Sequence, residues 1–113
     1  MNIFSSQDSE AVDMVVRIKK SGNYFFSHNR FMEADRKYRK AMRYIDWFIL
    51  QLSQLEFDDN ADRNQVLNQF EKERLALMLN LSATTIKKGL YRESLSYCDE
   101  VSRIVMIIDK ILI

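Results

Sequence analysis

Between Lys19 and Tyr44 the chain reads KKSGNYFFSHNRFMEADRKYRKAMRY, with small and aromatic residues interleaved at a spacing that leaves few folding options. Gly22, Ala34 and Ala41 are small, while Phe25, Phe31 and Tyr38 are large. Two antiparallel helices in close contact need small residues where their backbones approach and large ones to fill the space beside them. The stretch therefore predicts a helix ending near Ser27, a turn at His28-Asn29-Arg30 and a second helix from Phe31. Asparagine suits that turn because it tolerates the left-handed backbone that helix ends often require. A lone hairpin leaves its outer faces uncovered, so further helices must pack on it.

Residues 1–8 read as a disordered lead-in, with the first helix starting at Ser9 and capped by Asp8 or Ser9. Met42, Ile45, Phe48, Ile49 and Leu52 keep a three-to-four spacing, which carries the second helix beyond Tyr44. Clustered Asp and Asn then predict an acidic loop over 55–64, because these side chains bond to their own backbone. A third helix follows from about Gln65 to Lys88, Gly89 ends it, and Tyr91 opens a fourth. Superposing Phe31 on Tyr91 sets Asn29 on Gly89, Ala34 on Ser94, Tyr38 on Cys98, Ala41 on Val101 and Gly22 on Ser82. Small falls on small and turn on turn. Phe25 meets Thr85, so the second hairpin is a degenerate copy of the first.

The chain has no proline and two glycines in 113 residues, too little punctuation for a many-stranded sheet. With 47% hydrophobic and 29% charged residues it suits one all-α domain with a modest core: hairpin 1 over about 9–54 and hairpin 2 over about 65–113. Seventeen basic against 16 acidic residues give a net charge of +1 and no global field for nucleic acid. A single cysteine excludes an intrachain disulfide, and MNIFSSQDSE has no charged segment followed by an apolar one, so a reducing cytosolic or nuclear setting is expected. No apolar run is longer than Ile104–Ile108, which is far below the ~20 residues of a membrane span.

The interleaved residues of hairpin 1 resemble the tetratricopeptide repeat. The run RIKKSGNYFF at 17–26, the lengthened second helix through MRYID at 42–46, and LNLS at 79–82 are similar to the tetratricopeptide region of the large immunophilins, the cyclophilin- and FKBP-type prolyl isomerases. The likeness covers roughly residues 15–108 and is tightest over Lys19–Phe26. It implies two repeats of about four helices in a short right-handed superhelical stack. It also implies a co-chaperone role: docking the acidic C-terminal EEVD-type peptide of a heat-shock chaperone through a carboxylate clamp. The clamp's first-repeat lysine and asparagine fall on Lys19 and Asn23, and its second-repeat asparagine on Asn80. A lysine and an arginine of a third repeat have no counterpart before Ile113, so the clamp is expected to be partial and weak. No isomerase segment lies in these residues, so the resemblance carries no such activity.

The residues themselves allow that chemistry. Lys19 and Asn23 lie one helical turn apart, where an ammonium and an amide can share one carboxylate. Other chemistry finds little footing, and neither enzyme activity nor a cofactor is expected. Asp58, Asn60, Asp62 and Asn64 alternate like a calcium loop, but Arg63 and Gln69 stand where such a loop needs glycine and glutamate. His28 has no second ligand and reads as a turn residue, and Cys98 as an inert buried thiol. The aromatic spacing fits packing better than base stacking. From Val101 to Ile113 nine of thirteen residues are apolar, more than one helix face can bury. Val101, Ile104, Val105, Ile108, Ile111 and Leu112 are therefore read as a surface for another protein or a second copy of the chain. That gives an alternative function as a scaffold with an idle clamp.

Overall fold

A computed structural model describes the backbone of residues 3–54 and 61–112 and the side chains of 9–53 and 64–107. All four elements are helices: α1 (Ile3–Ser27), α2 (Phe31–Gln54), α3 (Ala61–Lys87) and α4 (Tyr91–Leu112). The expected starts at Ser9 and Gln65 are each too late. No proline or glycine lies between 3 and 9 or between 55 and 88 to stop a helix, and polar residues alone do not terminate one. The backbone of 3–8, read as a disordered lead-in, belongs to α1. Of the acidic loop, residues 55–60 lie outside the described residues.

The two sharp corners are built alike. Asn29 has φ 60° and Gly89 φ 79°. At the first, Arg30 N bonds to Phe25 O at 2.9 Å and Asn29 N to Phe26 O at 3.0 Å. At the second, Leu90 N bonds to Thr85 O at 2.8 Å and Gly89 N to Ile86 O at 3.0 Å. Both are Schellman closures, which satisfy the free carbonyls of a helix end through one left-handed residue. A short link of this kind folds α1 back on α2 and α3 back on α4.

Packing then follows residue size. Ala34, Ala41 and Ile45 are fully buried with Tyr38, Val15 and Leu77 in one continuous core. Phe48 stacks on buried Phe70 with centroids 5.4 Å apart and planes at 13°. Contacts of Phe48 with Phe70, Asp46 with Arg74 and Asp35 with Lys88 show α2 and α3 antiparallel. Lys19 with Glu73 and Asn23 with Asn80 show α1 and α3 parallel. Helix α3 touches α1, α2 and α4, and so buries adjacent positions Leu77, Met78, Leu81, Ser82, Thr84 and Thr85 rather than one stripe. The molecule is 20 Å thin, two helix layers deep.

The second hairpin repeats the first with sizes exchanged. Where Gly22 lies against the Tyr38 ring, the equivalent Ser82 hydroxyl contacts Cys98 Sγ at 2.9 Å and Ser94 Oγ at 3.0 Å. Thr85, in the place of Phe25, is fully buried and donates within its own helix to Leu81 O and Ser82 O. Cys98 is exposed, contrary to the expectation of a buried thiol. Tyr38 is covered because α2 packs against both α1 and α3, whereas among the described residues the α4 backbone lies close to α3 alone and meets α2 through the Arg39 side chain.

Candidate functional site

The seam between the parallel helices α1 and α3 gathers the three residues that the sequence marked. Asn23 Oδ1 accepts the Tyr38 hydroxyl at 2.6 Å and the Asn80 side-chain N–H at 3.3 Å. Phe26, Tyr38 and Ala83 complete a depression of about 240 Å³ around the two amides. One turn earlier on α1, Lys19 Nζ donates to Glu73 Oε2 at 2.5 Å, with both side chains 19% exposed.

Each contact has a local cause. Gly22 lets the Tyr38 ring lie flat against α1, since a Cβ there would sit 2.6 Å from Tyr38 Cε1. That close approach brings the phenol beneath Asn23. Burial raises the Tyr38 pKa above its usual value, so the hydroxyl keeps its proton and donates. With Oδ1 turned inward to two donors, Asn23 presents its NH₂ outward. Asn80 spends one N–H on Asn23 and keeps the other. The seam thus offers amide donors beside an ammonium, the chemistry that holds a carboxylate.

Two of these groups were not evident from the sequence. The sequence gives Tyr38 a packing role, and its hydroxyl also fixes the amide. Glu73 was not marked, yet it neutralises Lys19 in the free protein. The parallel register that joins Asn23 to Asn80 also brings Glu73, about two turns earlier on α3, within reach of Lys19, so the register carries the signal and the residue type does not.

A second polar cluster ties α2 to hairpin 2. Arg39 donates to Asp35 Oδ2 at 2.7 Å, to Glu93, and to the Tyr97 hydroxyl at 3.3 Å, and Lys88 stands 3.7 Å from the same Asp35 oxygen. The Asp35 bond foremost, with Glu93 assisting, holds the Arg39 proton more tightly than usual despite partial burial. Burial raises the Tyr97 pKa, keeping that phenol neutral.

Of the predicted association surface, Val101 and Ile104 are half-buried and Val105 is exposed. Ile108, Ile111 and Leu112 have side chains outside the described residues, as do Asp58, Asn60 and Asp62 of the calcium-like stretch. Leu95, Met106 and Ile107, not marked in the sequence, are more exposed than Val105. Among the described residues no group of three His, Cys, Asp or Glu side chains is placed to hold a metal, and no helix is long and apolar enough to cross a membrane. Family models, curated proteins and solved structures were each searched, and none gave a significant match.

Proposed function

We propose that this chain is a protein-binding module of the tetratricopeptide type, with its hairpins stacked in a short right-handed superhelix. In this reading the α1–α3 seam receives the acidic C-terminal peptide of a heat-shock chaperone, as in the co-chaperone immunophilins. One observation carries it: Asn23 and Asn80 meet across parallel helices, with Lys19 one turn away on the same seam. The amides take one carboxylate oxygen pair, and Lys19 provides the charge. Because Glu73 already holds Lys19, an incoming carboxylate must displace a carboxylate of the protein. That competition weakens the wild-type clamp.

Titration with an EEVD-ending peptide, followed by calorimetry, tests the reading with two variants. Each charge-assisted bond contributes roughly 1.5–3 kcal/mol, so Lys19→Ala should weaken binding about tenfold or more. Glu73→Gln frees the ammonium and should tighten binding by about tenfold. Equal affinities for wild type and Lys19→Ala would remove the clamp from consideration.

A scaffold role through α4 is the second reading, favoured by one observation. Leu95, Met106 and Ile107 are each more than half exposed on the terminal helix. If α4 pairs with a second copy, light scattering over a concentration series should show the mass rising toward a dimer, and Met106→Glu/Ile107→Glu should hold it at the monomer. A monomeric mass at every concentration would leave self-association without support.

A further inference from the structure

Helix α2 has a second face, turned away from the buried Tyr38, Ala41 and Ile45, and it carries charge that the fold leaves uncompensated. Arg36, Lys40, Arg43 and Trp47 follow one another at spacings of three and four, and all are exposed. The three acids of α2 are engaged elsewhere: Glu33 by Arg30, Asp35 by Arg39 and Lys88, and Asp46 by Arg74. Among the described residues Arg36, Lys40 and Arg43 make no ion pair.

At the C-terminal end of this strip the surface becomes apolar and concave. Lys40, Arg43, Tyr44, Trp47 and Phe48 line a depression of about 460 Å³. Its floor is held in place: Phe48 is stacked on buried Phe70, Tyr44 is stacked on Phe48 at 6.4 Å, and Trp47 meets Phe48 edge-on at 5.0 Å. Trp47 nevertheless remains 54% exposed. A rigid aromatic hollow beside a row of cations is costly to leave in water and poorly suited to solvation alone.

We propose that this strip is a second protein-binding site, which takes an acidic segment bearing one large apolar side chain. Carboxylates meet Arg36, Lys40 and Arg43 over about 10 Å of helix, and the apolar side chain enters the hollow between Tyr44 and Trp47. Charge complementarity selects an acidic partner, and the hollow selects a protein. A bilayer needs a broad apolar face rather than one pocket at the end of a polar strip. Nucleic acid would gain little from a chain whose net charge is only +1. The site lies on the opposite side of α2 from the Asn23–Asn80 seam and does not depend on it.

Trp47 is the only tryptophan of the chain, so its emission reports directly on the site. The probe is a short N-acetylated, C-amidated polyglutamate peptide with one central phenylalanine. It lacks the terminal carboxylate that the seam would require, so failure here and failure of the clamp are separate results. The expected result is a saturable blue shift of Trp47 emission that weakens with salt. Lys40→Glu/Arg43→Glu should reduce affinity by about tenfold or more, while Lys19→Ala leaves it unchanged. Both reversed residues are exposed, and circular dichroism checks that the variant is folded. No saturable shift, equal binding of the peptide's glutamine counterpart, or a response insensitive to the charge reversal overturns the proposal. So does a response given only by phosphatidylserine vesicles or single-stranded RNA.

Discussion

Gly22→Ala is expected to destabilise the protein by about 1 kcal/mol, although alanine is the better helix former. The substitution gains roughly 0.5–1 kcal/mol from reduced backbone freedom in the unfolded chain. Against that, the new Cβ would lie 2.6 and 2.8 Å from two atoms of the Tyr38 ring. The ring is almost fully buried and its hydroxyl is bonded to Asn23, so it has no free direction in which to move. Overpacking of this kind costs about 1–3 kcal/mol. The cause can be isolated with a double-mutant cycle in urea. In a Tyr38→Ala background the clash is gone, and Gly22→Ala should become neutral or stabilising by up to about 1 kcal/mol. If the two changes simply add, the glycine is serving something other than the ring.

The same pair shows why part of the architecture could be read from the sequence. Gly22, Ala34, Tyr38 and Ala41 are constrained by contact within one hairpin, where a three-residue link fixes which side chains meet. The corners were legible for a similar reason: a left-handed residue is a local requirement, and Asn29 and Gly89 meet it. Charge pairing was not legible. Lys19–Glu73 and Arg39–Glu93 join residues more than fifty positions apart, and only the register between helices selects them from seventeen basic and sixteen acidic side chains. The repeat position of Cys98 predicts burial, but burial also needs a helix on the far side. Helix α2 has α3 there, and among the described residues α4 has none.

The register also gives the two faces of α2 different work. Its inner face supplies Tyr38, which orients Asn23 in the seam, while its outer face presents Arg36, Lys40, Arg43 and Trp47. A substitution at Tyr38 should therefore disturb the seam, and one at Lys40 should not. The two proposed sites would therefore not compete for the same side chains.

Arg39→Met should cost about 3 kcal/mol, more than the removal of any exposed cation of the chain. Its partner Asp35 is only 6% exposed, with Oδ1 lacking any hydrogen-bond partner and Oδ2 held by Arg39. Once the guanidinium is gone, the carboxylate retains only Lys88 at 3.7 Å. Stranding a buried charge costs about 3–5 kcal/mol, and the lower end applies because Arg39 itself is about one-third exposed. Methionine keeps much of the arginine stem's packing, so the loss measures charge rather than volume. The loss should also be uneven. Arg39 links α2 to Glu93 and Tyr97 of α4, and hydrogen exchange in the variant should therefore accelerate first in α4. Adding Asp35→Asn to Arg39→Met should recover most of the lost stability, because the penalty arises from the unpaired charge. If Arg39→Met alone changes stability by under about 0.5 kcal/mol, the cluster is surface decoration and the hairpins are joined by apolar packing alone.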